Sequence, residues 1–147
     1  MKTGTVEQAI EDIRAGRFVI VADDEDRENE GDLICAAELV TPEMVNFMIT
    51  KARGMVCLAL TGEHVDRLGL QPMADTNLDD YRTAYTVSID ASPRFGVTTG
   101  ISAQDRATTI RIAVDRDTMP GDLRHGGHVF PLRSRDGGVL QRVGHTE

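Results

Sequence analysis

The run of ten residues from 23 to 32 concentrates acidic side chains between two short apolar segments. Seven of the ten are carboxylates, and Arg27 stands among them: Asp23, Asp24, Glu25, Asp26, Glu28, Glu30 and Asp32. The segments on either side, FVIVA at 18–22 and LICAA at 33–37, each predict a buried strand. Because like charges at the end of a strand repel one another, such a run needs a cation or hydrogen-bond donors to balance it.

Composition leaves two interpretations of this acidic run open. Hard carboxylate oxygens that retain water around the ion suit Mg²⁺ or Mn²⁺ better than zinc. An acidic surface loop that keeps the protein in solution is the more common explanation of a run of like charge. The short apolar strands on both sides favour the metal site.

Length and composition predict one domain over residues 1–147, large enough for a substantial core. The net charge of −8 argues against a nucleic-acid surface, because nucleic acids bind basic faces. It leaves room for a phosphorylated small molecule, since a few arginines can dominate a pocket. No apolar run approaches the ~18 residues of a membrane span, and the N-terminus lacks the apolar core of a signal peptide. We therefore expect a cytoplasmic protein that binds neither nucleic acid nor membrane.

The two cysteines lie in apolar runs, Cys35 in LICAA and Cys57 in MVCLAL at 55–60. Neither has a CxxC spacing or a nearby histidine that would indicate zinc or a redox pair. The sequence predicts reduced core residues, and MVCLAL itself predicts a strand that is buried on both faces.

Helical and strand patterns alternate along the chain, with hairpin-like junctions at two places. This order predicts an α+β fold in which helices cover a mixed sheet. The first helix, between Thr5 and Gly16, should lay an apolar stripe on the sheet. The other helices are expected at 42–52, 63–68 and 102–114, a further strand at 83–90 and an exposed loop at 71–80.

The loop 98–100 enters the helix that begins near Ser102, where Asp105 completes a capping-box spacing. A helix N-terminus is a natural seat for an anion such as phosphate. Alternatively, Thr98 and Thr99 only satisfy backbone groups of the loop, and this is the preferred interpretation.

Two of the four histidines lie in glycine-containing turns. His128 follows Gly126 and Gly127, and His145 follows Gly144 in the turn 142–146. No GxSxG, P-loop or dinucleotide motif is present, so ATP and NAD use lack support. Carboxylates, a histidine and arginines together suit proton transfer beside the carbonyl of a phosphorylated small molecule, with a metal stabilising an enediolate.

Six stretches, in order over almost the whole chain, closely resemble the 3,4-dihydroxy-2-butanone 4-phosphate synthases of riboflavin biosynthesis. They are DDEDRENEGDL, TAYTVSID, GVTTGISAQDRATTI, GHVFPLR, GGVL and RVGHTE. The resemblance implies a mixed α+β sandwich and a homodimer with active sites at its interface. It also implies a lyase that uses Mg²⁺ or Mn²⁺ to convert D-ribulose 5-phosphate into formate and L-3,4-dihydroxy-2-butanone 4-phosphate.

The resemblance further implies roles for individual residues. Glu28 and His145 would ligate the metal, His128 would be an essential acid or base, and Glu30 would be a further site carboxylate. The substrate would be held by Arg27, Glu28, Asp32, Arg142, Val143, Gly144, His145 and Thr146.

The chain departs from the family pattern in two places. His125 and Gly126 stand where the family usually has Arg-Pro before its GHVFP motif, and a glycine there should loosen the loop that carries His128. The family also continues for several tens of residues past its GHTE motif, with a second essential glutamate. We therefore expect this chain to be the N-terminal and central part of the family's domain, from a protein that is fused in many bacteria to a GTP cyclohydrolase.

Two other functions compete with the synthase. A catalytically silent sugar-phosphate, Mg²⁺-binding or dimerisation module would keep the pocket but turn nothing over. An unrelated Mg²⁺-dependent sugar-phosphate isomerase or aldolase would need only the acidic loop, histidines and arginines, and it would not explain the order of the motifs.

Overall fold

The computed structural model describes residues 3–147, which form four α-helices and six short strands besides 3₁₀ turns. The helices are α1 (Val6–Arg14), α2 (Pro42–Phe47), α3 (Gly62–Arg67) and α4 (Ala103–Val114). The strands are β1 (Val19–Ala22), β2 (Gly31–Ile34), β3 (Cys57–Leu60), β4 (Ile89–Ala91), β5 (Leu123–His125) and β6 (Phe130–Arg133). Over the same residues, none of the helices has the length and apolar character needed to cross a membrane.

Within the described chain the strands form three pairs. β1 and β2 are antiparallel, as are β4 and β5, whereas β3 and β6 are parallel. Single bridges connect the stretches around β4 and β6, because Tyr85 lies opposite Leu132 and Ile89 lies opposite Val129. Parallel and antiparallel strands thus occur together with covering helices, which confirms the predicted mixed α+β fold.

Helix α4 lies in the centre of the core. Its Ala107, Ile110 and Ala113 are buried, and the helix packs against α2 on one side and β4 on another. The fully buried Thr109 is satisfied because its hydroxyl oxygen accepts the backbone N–H of Ala91 at 2.9 Å. The remaining apolar core includes Val40, Val45, Val56, Leu58, Leu60, Val65, Leu68, Leu70, Ile89, Leu123 and Val129.

The predicted helix boundaries are confirmed by their caps. Thr5 and Gln8 form a reciprocal capping box at α1, and Thr41 caps α2 with Pro42 in its first turn. After α2 the chain continues as one π-helical turn, Met48–Ala52. That turn ends where Arg53 adopts a left-handed conformation with φ of 66°.

The predicted burial of the first two strands is wrong. In β1 only Val19 is half-buried; the other three residues are exposed, and Ile20 is 67% exposed. The second strand runs from Gly31 to Ile34 and not from 33 to 37, because Ala22 pairs with Gly31 across the hairpin. An apolar run shows that a segment can be covered, but only packing decides whether another layer covers it.

The strand MVCLAL is also not buried on both faces. Leu58 and Leu60 are buried, whereas Cys57 and Ala59 are exposed, because successive side chains of a strand point to opposite faces. Cys57 is therefore not a core residue. Cys35 is half-buried, and both thiols are free.

Two further expectations change in the structure. Helix α1 has the predicted stripe but no buried residue, and Val6 is 71% exposed. The expected strand at 83–90 is only partly formed, since isolated bridges at Tyr85 and Thr86 precede β4. Residues 83–88 therefore form isolated bridges with neighbouring segments and not a continuous strand.

Candidate active site

The acidic run forms the loop between β1 and β2, and Asp23 holds that loop together. Its carboxylate accepts the backbone N–H of Glu30 at 2.8 Å, the backbone N–H of Glu28 at 3.1 Å and the Arg27 guanidinium at 2.6 Å. Burial opposes ionisation of Asp23, but these donors outweigh it and lower its pKa to about 2. Hydrogen-bond donors thus balance part of the charge within the run.

Arg27 connects the acidic loop to the loop that precedes β4. Its guanidinium lies between Asp23 and Glu28, at 2.6 Å from each carboxylate. It also stacks on the ring of Tyr81, 5.3 Å from the ring centre, and the Tyr81 hydroxyl donates to the Arg27 carbonyl at 2.9 Å. Two independent contacts therefore link Tyr81 to Arg27.

The turn near the end of the chain brings His145 to the acidic loop. The Nδ1–H of His145 donates to Asp32 at 2.7 Å, which leaves a lone pair on Nε2. That Nε2 atom is buried and has no hydrogen-bond partner among the described residues. A buried imidazole nitrogen with a free lone pair, whose other nitrogen is oriented by a carboxylate, is the usual arrangement of a metal ligand.

Arg142 lies in the same turn, and each of its three guanidinium nitrogens donates one hydrogen bond. It donates to the Tyr81 carbonyl at 2.9 Å, to the Thr83 hydroxyl at 2.9 Å and to the Glu147 carboxylate at 2.5 Å. Glu147 has a side chain only 1% exposed and also accepts the backbone N–H of Arg135. The arginine is thus fixed in place at the edge of the site.

These elements surround a groove of about 640 Å³. It is lined by seven of the residues that sequence reasoning assigned to the site: Arg27, Glu28, Glu30, Asp32, Arg142, His145 and Thr146. The other two residues of the turn, Val143 and Gly144, line a smaller adjoining cavity with Asp23, Asp24, Arg27 and His145. Residues more than a hundred positions apart in the chain therefore line one groove.

Cys57 also lines the groove and was missed because the apolar run around it indicated core. The protein atoms around the thiol raise its pKa to about 11, and the negative charge of Asp32 adds to the effect. The thiol therefore stays protonated near neutral pH. Tyr81 and Thr83 are further residues that the sequence did not single out, since neither belongs to a charge or glycine pattern.

His128 does not line this groove. It follows β5, where its Nδ1 lies 2.9 Å from Asp90 Oδ2 and its backbone N–H donates to Asp90 Oδ1 at the same distance. The His128 side chain is 35% exposed, while that of Asp90 is 12% exposed. The two predicted histidines thus belong to separate clusters of the described chain, each with its own carboxylate.

The loop carrying His128 is held by its backbone. Gly126 donates its N–H to the Ser88 carbonyl at 2.8 Å, and the His128 N–H lies 3.1 Å from the Ile89 carbonyl. Gly126 has φ of +80°, a value that proline cannot adopt. At this position the chain therefore uses a backbone conformation that depends on glycine.

Two donors of the loop before α4 are directed at Asp105 and so are not available to an anion. The Thr98 hydroxyl donates to Asp105 at 2.8 Å and the Gly100 N–H donates to it at 3.0 Å. The expected capping box is therefore only half formed: Ser102 caps the Asp105 N–H, but the Asp105 carboxylate turns to the loop. Burial opposes ionisation of Asp105, yet these two donors lower its pKa.

A divalent cation fits the donor set only as a weakly held, hydrated ion. Among residues 3–147, no three His, Cys, Asp or Glu side chains are gathered in a position to bind a metal. Glu28 and His145 both face the groove, but the Glu28 carboxylate is paired with Arg27. Mg²⁺ commonly uses one or two protein ligands and completes its shell with water and substrate oxygens, which this arrangement allows.

The chain is similar in sequence to known proteins of one family. The family model described as 3,4-dihydroxy-2-butanone 4-phosphate synthase matches residues 7–147. The riboflavin biosynthesis protein RibBA of Synechocystis sp. is 59% identical over 142 residues, which are 97% of this chain and 26% of that protein. A 3,4-dihydroxy-2-butanone 4-phosphate synthase of Pseudomonas syringae pv. tomato is 55% identical over 142 residues, or 97% of this chain and 38% of that protein.

A solved structure gives the same result for the fold. The crystal structure of a 3,4-dihydroxy-2-butanone 4-phosphate synthase in complex with two magnesium ions superposes with a TM-score of 0.94 at 46% identity. The superposition covers 98% of this chain and 66% of that one. The chain thus spans between about a quarter and two-fifths of the two curated relatives described here. The family match and the shared fold establish that it belongs to the 3,4-dihydroxy-2-butanone 4-phosphate synthase family.

Proposed function

We propose that residues 1–147 are one domain of a cytoplasmic lyase that converts D-ribulose 5-phosphate into L-3,4-dihydroxy-2-butanone 4-phosphate and formate. The observation that carries this proposal is the groove in which the acidic loop meets the turn 142–146. There His145 presents a buried, unpartnered Nε2 atom, and Asp32 orients the ring from the opposite nitrogen.

Binding follows from the groups that line the groove. Arg142 and Thr146 suit the phosphate, because a guanidinium and a hydroxyl donate to its oxygens. Phosphate competes with Glu147 for Arg142, so substrate binding should loosen that ion pair. Glu28 and His145 would hold Mg²⁺, or Mn²⁺ in its place, and the cation would stabilise negative charge on neighbouring substrate oxygens.

The reaction needs proton transfer but no external oxidant or reductant. A base removes a proton beside the ketone to give an enediol, which loses water before a carbon shift and the release of formate. The water lost early is added back at formate release, so the atoms of the five-carbon phosphate equal those of the four-carbon phosphate and formate together. Glu30 and His128 are the groups proposed to move protons.

A homodimer would explain the separate position of His128. In this arrangement His128 of one copy would serve the groove of the other, because neither cavity described above contains it. Mixing Glu28→Gln with His128→Gln chains tests this directly. Each variant alone should be inactive, whereas random exchange of subunits should restore about a quarter of the wild-type activity, since half of the dimers would contain one intact site. Mixtures that stay inactive despite proven subunit exchange would refute a shared site.

The function itself is tested by incubating this chain with ribulose 5-phosphate and Mg²⁺ and assaying formate. Release of formate should require the cation and be abolished by EDTA and by His128→Ala. His125→Ala is the matched control, because His125 is exposed and has no assigned role. Substrate-dependent thermal stabilisation without formate would identify a binding module, and isomerised sugar would identify an isomerase.

A further inference from the structure

We propose that Asp90 is a positioning residue that fixes the tautomer of His128, so that Nε2 is the nitrogen available to exchange protons. The Asp90 carboxylate meets His128 twice, through Nδ1–H and through the backbone N–H. An ionised carboxylate only accepts hydrogen bonds, so the neutral imidazole must carry its proton on Nδ1. The tautomer of His128 does not depend on the proposed function. Only the role of His128 in moving protons during the reaction rests on it.

The position of Asp90 is set by the fold. Asp90 lies in β4, opposite Arg124 in the antiparallel strand β5. The backbone N–H of its neighbour Ala91 donates a hydrogen bond to the Thr109 hydroxyl of α4. Gly100 packs directly against the carboxylate, where an added Cβ would overlap it. The carboxylate is thus confined between a strand and a loop, which leaves it little freedom to turn away from His128.

The two contacts predict which ring nitrogen of His128 carries the proton in the Asp90→Asn variant. The backbone N–H of His128 can only donate, so it should hold the amide oxygen of the new side chain. The NH₂ group then faces Nδ1, which must accept a hydrogen bond and so lose its proton. The proton moves to Nε2, which becomes a donor with no lone pair for a base.

Nitrogen-15 spectra of the imidazole rings measure this without any turnover. In the wild-type protein the neutral His128 ring should carry its proton on Nδ1, and in Asp90→Asn on Nε2. Asp122→Asn is the matched control, because Asp122 is equally buried but pairs with Arg94 and the Met119 N–H. It should leave the His128 tautomer unchanged. A wild-type ring protonated on Nε2, or an Asp90→Asn ring still protonated on Nδ1, would overturn the inference.

The kinetic consequence is a loss of kcat. Asp90→Asn should lower the kcat for formate release by about a hundredfold or more, the usual contribution of a general acid or base. The KM should stay within a few-fold, because Asp90 lies outside the groove. An unchanged kcat with a switched tautomer would refute the positioning role. Failure of the wild type to release formate would instead refute the proposed function, and the spectra would still decide the tautomer.

Discussion

The conformation of Gly126 gives a direct test of the loop that carries His128. Gly126 and Gly121 are both exposed glycines, and an added Cβ would meet nothing within 4 Å at either position. They differ in backbone conformation, since only Gly126 has a positive φ, +80°. Comparing Gly126→Ala with Gly121→Ala therefore separates backbone strain from packing.

The expected magnitudes follow from this difference. Replacing glycine by alanine restricts the unfolded chain and stabilises the protein by about 0.4–1 kcal/mol where the backbone fits. The left-handed conformation costs alanine about 1–2 kcal/mol. The unfolded-state contribution is common to both variants and cancels, so Gly126→Ala should be about 1–2 kcal/mol less stable than Gly121→Ala.

Urea unfolding followed by circular dichroism measures this free energy of unfolding, and the two variants should share the same dependence on urea concentration. For a chain of this size the difference corresponds to about 3–6 °C in Tm. Equal stabilities would contradict the left-handed conformation at Gly126. Gly126→Pro should be more damaging still, because it also removes the N–H that donates to Ser88; a stabilised proline variant would show that the loop follows the family's usual backbone.

Three further outcomes are expected. Because the donors around Asp23 lower its pKa to about 2 in the folded protein, its stabilising contribution is complete above the unfolded value near 3.9 and is lost as the pH falls towards 2. The free energy of unfolding of Asp23→Asn should therefore fall less than that of the wild type between pH 5 and about 2.5. That of Asp24→Asn, in the same loop, should fall as it does in the wild type. Tyr81→Phe should lower the free energy of unfolding by about 0.5–1 kcal/mol, because it removes the hydrogen bond to Arg27. Tyr81→Leu should lower it by a similar amount more, because it also removes the stacked ring. Equal urea midpoints for the Phe and Leu variants would contradict the stacking. Since the pKa of Cys57 is about 11, alkylation by iodoacetamide should speed up about tenfold per pH unit from pH 7.5 to 10, and Asp32→Asn should accelerate it at a given pH.

Much of the local structure could be predicted from short-range physics. Thr5, Thr41 and Ser102 begin helices because their side chains accept N–H groups that the first turn leaves free. The acidic loop between β1 and β2 was predicted for a similar reason, since the charge pattern and the flanking apolar runs are both local. Proximity of that loop to the turn 142–146 followed only from the resemblance, because nothing in residue spacing brings Asp32 to His145.

Packing decided what these patterns left open. Whether β1 and the second face of β3 are covered depends on which layers meet them, so Ile20 and Cys57 turned out exposed.

The carboxylate partners of the two histidines were equally hidden from the sequence. Asp90 and His128 are 38 residues apart, and Asp32 and His145 are 113 apart. Residue types and caps are local properties that the sequence determines by itself, whereas the orientation of each imidazole depends on which distant carboxylate the tertiary structure brings within hydrogen-bonding distance.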